Sequence, residues 1–491
     1  MNKRNQNLLL AGALGLAGAF VASKLMSQSS RRRGAARPGG LATAGVIDTA
    51  ALALDVLAPT FAKGVIVRRP RVVALAERLG LDERAVRRMQ KLRDKYGDGP
   101  LMLPLPIRRQ AVLLAPQHVR RVLDGSPEPF SAASSEKRAA LSHFEPKGAL
   151  ISCGRERAER RRFNEEVLEH ERAVHRMVGQ FLPAVDDEAG RILDRARRRG
   201  ELDWDSFNTG WTRLVRRIVF GDGAAGDQEI SDMIIALRKA ANWAFMRPKK
   251  TGLRERFLAR IQAYLERAEP GSLAAVAAGI PRTPDAAPNQ QVPQWLFAFD
   301  AAGMATFRAL ALLAAHPEQA ARAREELRSH PGIERQYLPF LRATVLESLR
   351  LWPTTPAILR QTTRDTDWNG ETMPAGTGVL VFTPFFHRDD QRMACANRFA
   401  PELWLKDDQV RHAQDRDWPL IPFSSGPVTC PARNLVLMLT SVMLGALIDT
   451  GADGRALRLV PQGRLDPAQL PGTLDNYGLR FAFGPAAGAM P

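Results

Sequence analysis

Apolar positions recur at helical spacing through most of the chain, and strand-like alternation is confined to short runs. Residues 71–97 (RVVALAERLGLDERAVRRMQKLRDKYG) carry a helical period that stops at Gly97. Leu101–Leu105 and Ala111–Leu114 read as two short strands, separated by Pro106 and a basic turn. A helix is predicted from Pro116 to Leu123, and residues 155–185 are strongly helical and very basic at their start. Residues 226–270 read as two helices broken near Pro248, followed by a loop from Pro284 to Pro293. Residues 294–315 (QWLFAFDAAGMATFRALALLAA) form the most apolar long helix. Asp300 and Arg308 interrupt it, and intramembrane charges are costly, so it is predicted as the central helix of a large protein. His316-Pro317 ends it. Further helices follow at 317–330 and 338–351, short strands and turns at 355–385, and a last helix at about 431–449. The predicted fold class is mainly α with a small β portion, in a single large domain over residues 41–491 without internal repeats.

One more apolar run, residues 8–22 (LLLAGALGLAGAFVA), stands apart near the N-terminus. With Ser23 it is a candidate membrane anchor, although short against the ~20 residues of a comfortable span. Lys3 and Arg4 precede it, and five basic residues follow within 15 positions. That asymmetry would leave the rest of the chain on the cytoplasmic face. An uncleaved anchor, a cleaved signal and a peripheral arm all fit the composition. Residues 27–40 (SQSSRRRGAARPGG) read as a linker, so residues 1–40 form a basic N-terminal arm.

Charge changes the picture next. The chain of 491 residues has a formal net charge of +18, which points to anionic partners. The N-terminal arm holds +7 of it and no acid, leaving +11 for residues 41–491. Aromatic residues are not interleaved with the basic runs, and no zinc-finger or basic-zipper pattern is present, so nucleic acid is not an expected partner. The three cysteines, Cys153, Cys395 and Cys430, are few and far apart, which excludes a disulfide scaffold or a CxxC zinc site and suits a reducing compartment.

The most informative stretch is Pro422–Val436, PFSSGPVTCPARNLV. Cys430 sits in a loop directly before an apolar helix, with Gly426 four before it and Phe423 seven before it. A helix N-terminus offers unpaired N–H groups and partial positive charge, which favour a thiolate, the form that ligates a metal. Gly426 is expected to let the backbone approach a flat cofactor. A second element is Glu347-Ser-Leu-Arg350, whose spacing puts carboxylate and guanidinium on one helix face. The third is Arg398-Phe399-Ala-Pro401-Glu402-Leu-Trp404, ahead of the cysteine loop.

Taken together, these elements resemble the cytochrome P-450 superfamily over roughly residues 65–485. The loop resembles its haem-binding motif FxxGxxxCxG, with Val428 where the family has Arg or His and Ala432 where it has the second glycine. The resemblance implies the P-450 fold, haem b iron held by the Cys430 thiolate, and a Glu347–Arg350–Arg398 network bracing the loop. Ala302-Gly303-Met304-Ala305-Thr306 resembles the oxygen-activation motif, which implies that Thr306 faces bound oxygen and that Gly303 leaves room for it. The acid usually preceding the threonine is Ala305 here. Arg157 and Arg161 match the family's third-helix positions and Arg360 a strand position, which implies haem-propionate partners; Arg160 or Arg162 are alternatives if the register slips. The implied activity inserts one oxygen atom of O₂ into a hydrophobic substrate. Electrons would come from NAD(P)H through a separate acidic ferredoxin or reductase, docked near Arg155–Arg162 and Arg433. Two other readings stay open: a peroxygenase or isomerase that uses no reductase, motivated by Ala305, and a non-enzymatic haem-binding sensor or carrier. A membrane surface is a further candidate partner of the N-terminal arm.

Overall fold

The computed structural model describes residues 41–105, 108–407, 409–411, 418–449 and 455–485. The basic arm with its candidate anchor at 8–23 lies outside the described residues.

The apolar periodicity translates into a helical body around one central element. Val292–Ala315, 24 residues, is the longest described helix. Its length and hydropathy would allow a membrane crossing, but 72% of its most apolar window is buried inside the protein. Trp204–Phe220, Pro339–Leu351 and Arg433–Ile448 pack around it. Their interiors merge into one core that includes Trp211, Phe307, Leu346 and Met438. Helices without a polar face need such all-round burial. Arg433–Ile448 meets that need, with thirteen of its sixteen residues buried.

The β portion is small, as expected. A five-stranded sheet runs in the order Leu101–Leu103, Gln110–Val112, Gly378–Phe382, Ala357–Thr362, Phe130–Ser131. Gln110–Val112 and Gly378–Phe382 are parallel, while the other pairs are antiparallel. Side chains alternate across a strand, so Ile358, Arg360 and Thr362 share the buried face of Ala357–Thr362. This places a guanidinium inside the protein. A second sheet joins Arg455–Val460, Arg480–Pro485 and Glu201–Asp203.

Two sequence expectations change, and the first is the helical stretch 71–97, which divides at Gly80 into Pro70–Arg78 and Leu81–Tyr96. The predicted 155–185 helix is two helices, Gly154–Val167 and Val178–Arg199. They part where His175 stacks on Phe181 and its Nε2 meets the Val167 carbonyl at 3.0 Å. The helix Trp204–Phe220 carries no sequence expectation. Asp203 caps it by accepting the Ser206 N–H at 2.8 Å.

Candidate functional site

Every residue from Phe340 to Leu351 is buried, so Glu347 and Arg350 cannot be a surface pair. The two form a bidentate bridge, Arg350 Nε to Oε2 at 2.7 Å and Nη2 to Oε1 at 2.6 Å, with both side chains fully buried. A buried ion pair persists only when its remaining donors and acceptors are satisfied. Here they are. Arg350 Nη1 donates to the carbonyls of His387 and Ala396, and Nη2 to that of Arg398. The pair therefore nails the 387–398 segment to this helix.

Arg398 does not join the network through its side chain. Its guanidinium is exposed and, among the described residues, reaches only the Ala394 carbonyl, at 3.3 Å. Glu347 is completed instead by the Ala400 N–H on Oε1 and the Trp404 indole N–H on Oε2, both at 2.8 Å. The cause is local: Pro401 starts a tight turn, Pro401–Trp404, that swings the indole back over the carboxylate. A neutral donor closes the shell without burying a second cation. Trp404→Phe keeps the ring and deletes the N–H, and is expected to cost about 1–3 kcal/mol, read as a lower denaturation midpoint. An unchanged midpoint would contradict the assigned bond.

The chain then enters the cysteine loop. The buried His387 Nε2 accepts the Ile421 N–H at 3.0 Å, and burial beside the Arg350 cation holds this imidazole's pKa down at about 3. Within the loop, Cys430 N–H donates to the Phe423 carbonyl at 2.9 Å and Thr429 N–H to that of Gly426 at 3.0 Å. Phe423 and Cys430 are partly buried against the main core.

Gly426 is required, but for a different contact than expected. Its φ is +67°, and an added Cβ would lie 2.4 Å from the Leu123 carbonyl oxygen, at the end of helix Pro116–Asp124. The close approach seen here is to the chain's own helix. Gly426→Ala adds a steric clash to a strained backbone, each feature of this kind costing about 1–3 kcal/mol. Lost stability should appear in urea unfolding, and a wild-type midpoint would exclude the packing described.

Burial pushes the Cys430 thiol up, while the Ala432 N–H and the cations Arg161 and Arg433 pull the other way. Desolvation therefore outweighs the helix terminus in the chain by itself. A cation at Sγ would supply the missing counter-charge.

The basic residues sort into different tasks. Arg161 donates from Nη1 to the Thr429 carbonyl and from Nε to Glu165, both at 2.6 Å. It is thus a strut for the residue before Cys430, not a free cation for a propionate. Arg160 is tied to Asp285 and Ser152, and Arg162 to Glu159 and Glu166, so neither alternative register frees a cation. Arg157 is half-buried with no ion pair among the described residues. Arg360 is buried and, among the described residues, bonds only neutral oxygens: Ser126 Oγ at 2.9 Å, the Leu359 carbonyl at 3.0 Å and Ser424 Oγ at 3.3 Å. Burial and the field of Arg157 lower its pKa to about 10. One buried and one half-buried guanidinium without a counter-charge beside the cysteine loop fit a ligand with carboxylates.

On the central helix, the space beside Gly303 is taken by Trp211. An added Cβ would lie 2.6 Å from the Trp211 ring, and the Trp211 indole N–H donates to the Phe299 carbonyl at 2.7 Å. The glycine admits that indole from Trp204–Phe220. Thr306 is fully buried and its hydroxyl donates to the Ala302 carbonyl at 2.9 Å, the ordinary bond of a helix threonine. Ser348, inside the Glu347–Arg350 motif, donates to the Ala305 carbonyl at 2.9 Å. The bracing helix is thereby locked to the turn that carries Thr306. Asp300 faces away, paired with Arg238 of helix Gln228–Ala241.

Sequence reasoning missed Trp404, His387, Ser424 and Ser348, all of which act through backbone groups brought close by the fold. Only Trp404 left a signal, an indole three residues after a proline in an apolar run.

Comparison with known proteins agrees with this geometry. Residues 290–450 match the family model described as cytochrome P-450. Methyltetrahydroprotoberberine 14-monooxygenase of Papaver somniferum is 30% identical over 174 residues, covering 34% of this chain and 32% of that protein. Trans-cinnamate 4-monooxygenase of Oryza sativa subsp. japonica is 29% identical over 185 residues, covering 35% of each. The matched segments thus span about a third of these relatives' own length. The fold likeness is wider. A cytochrome P-450 crystal structure (CYP102L1) aligns with TM-score 0.65 at 17% identity, covering 81% of this chain and 94% of that one. The retinoic acid bound cyanobacterial CYP120A1 aligns with TM-score 0.64 at 16% identity, covering 80% and 93%. The cysteine loop, the buried Glu347–Arg350 bridge and the Thr306 turn all fall inside residues 290–450, the third of the chain that matches the cytochrome P-450 family model, and the described fold is that of the cytochrome P-450 structures.

Proposed function

We propose that residues 41–491 form one catalytic domain that holds haem b and inserts one oxygen atom of O₂ into a hydrophobic substrate. The observation that carries this reading is the single cysteine before an apolar helix, in a loop braced by the Glu347–Arg350 bridge, with the buried Arg360 alongside and no carboxylate paired to it among the described residues. Haem with a thiolate ligand supplies the O₂ activation.

The chain's own groups do the rest. Cys430 Sγ would hold the iron, and Arg161 fixes the preceding peptide so that this donor cannot drift. Arg360 and Arg157 would neutralise the haem propionates. Thr306 Oγ1 can pass a proton only by leaving the Ala302 carbonyl, since its one hydrogen is used there. Apolar side chains beside the central helix suit a hydrophobic substrate: Phe144 meets Phe297 edge-on at 6.2 Å, and Leu150 and Ile151 lie partly buried. Electrons come from NAD(P)H through a separate acidic ferredoxin or reductase. The N-terminal arm holds the domain at the cytoplasmic face of a membrane.

One observation favours a second reading. Ala305 supplies no acid beside Thr306, whose hydroxyl is already satisfied, so proton delivery lacks its usual pair. A peroxide-driven reaction or an isomerisation needs less of that delivery. Turnover under ¹⁸O₂ with NADPH and a surrogate donor decides between them. Label in the product supports the monooxygenase. Product formed with hydrogen peroxide but with no donor system supports the second reading.

A further inference from the structure

Helix Ser135–Leu141 is capped by Ser134, whose hydroxyl accepts the Lys137 N–H at 3.4 Å. The helix carries Lys137 toward the strand Ala357–Thr362. Lys137 Nζ donates to the Leu359 carbonyl at 3.1 Å, and Arg360 Nη1 donates to the same oxygen at 3.0 Å. Two cationic groups therefore converge on one neutral atom. Arg157 adds a third positive field at Arg360. No carboxylate pairs with any of the three among the described residues, and Glu136, beside Lys137, is held by Arg108. Like charges in a desolvated site repel strongly. Burial and the field of Arg360 accordingly hold the Lys137 ammonium well below its ordinary pKa.

We propose that Lys137 is a propionate-binding residue for haem, the cation this chain supplies in place of the basic residue absent at Val428. The inference rests on the haem-thiolate reading above. A carboxylate between Lys137 and Arg360 would remove their repulsion. Its position at the haem edge follows from Arg360, whose other bonds reach Ser424 in the cysteine loop and Ser126 at the end of helix Pro116–Asp124. The side chain of Val428 is buried and apolar, so that position offers no charge.

The test compares haem with haem dimethyl ester, whose carboxylates are blocked. Holoprotein is prepared with each, and loss to excess apomyoglobin is followed by absorbance. Lys137→Met is expected to speed loss of native haem about tenfold, the equivalent of roughly 1.4 kcal/mol, and to leave loss of the ester at the wild-type rate. Lys137→Arg should restore slow loss. Should Lys137→Met misfold, Lys137→Gln serves for the same comparison. Equal acceleration for haem and ester would overturn the proposal in favour of a packing role. No acceleration for either would also overturn it. So would a variant that keeps haem but loses binding of a long-chain fatty carboxylate and not of its methyl ester, since Lys137 would then serve substrate. Purified protein without haem defeats this inference and the functional reading together, whereas haem-loaded protein indifferent to Lys137 defeats the inference alone.

Discussion

Glu347→Gln is expected to lose about 3–5 kcal/mol of stability, the usual consequence of removing one partner of a buried ion pair. The carboxylate accepts four hydrogen bonds: two from Arg350, one from the Ala400 N–H and one from the Trp404 indole. A carboxamide has one acceptor oxygen and turns two N–H donors toward donors. The Arg350 cation then stays buried without a counter-charge, still tied to the carbonyls of His387, Ala396 and Arg398. Arg350→Lys should cost a comparable amount, because one ammonium cannot span carbonyls that a planar fork reaches on two sides. Urea unfolding followed by circular dichroism checks both. Stability near the wild-type value in Glu347→Gln would mean that the bridge does not hold the 387–404 segment.

The loss should also propagate. The 387–398 segment leads through His387 to Ile421, the entrance of the cysteine loop. Haem-loading of Glu347→Gln should therefore fall further than the stability of the helical body alone would suggest.

What the sequence discloses about this site depends on how local each contact is. Glu347 and Arg350 are one helical turn apart, so spacing alone shows that they meet. Cys430 is legible because a cysteine, a glycine and a helix start lie within eight residues. Arg398 against Trp404 is a different matter. Which of them faces Glu347 depends on the direction the chain takes after Pro401, and residue type favours the charged candidate while the turn delivers the indole. The two glycines teach a related lesson. Close approach is legible at Gly426 and Gly303, but its partner is not: Leu123 in one case and Trp211 in the other, 303 and 92 positions away in sequence. Lys137 sits in SEKRAAL, a segment with the composition of a solvated helix. Only the sheet register, which puts Leu359 and Arg360 against that helix, reveals the crowding of cations.

Helix content and the small sheet were readable from periodicity because helical faces repeat locally. The order of strands in the sheet was not, since Gln110–Val112 pairs with Gly378–Phe382 across most of the chain.

Cys430→Ala is expected to have the largest effect on chemistry and a modest one on the fold. Cys430 is one partly buried side chain, and its backbone N–H bond to the Phe423 carbonyl survives the substitution. Truncation removes the only thiol in the braced loop; Cys395 lies on the segment bonded to Arg350 and Cys153 is exposed. The cations Arg360 and Arg157 remain, so the variant should still take up haem, though weakly. The decisive measurement is the absorption spectrum of the reduced carbon-monoxide complex of the haem-loaded protein. Thiolate ligation by Cys430 predicts a strongly red-shifted Soret band in the wild type and an unshifted band in haem-loaded Cys430→Ala. An unshifted band in folded, haem-loaded wild-type protein, or a red shift that persists in Cys430→Ala, would contradict the account.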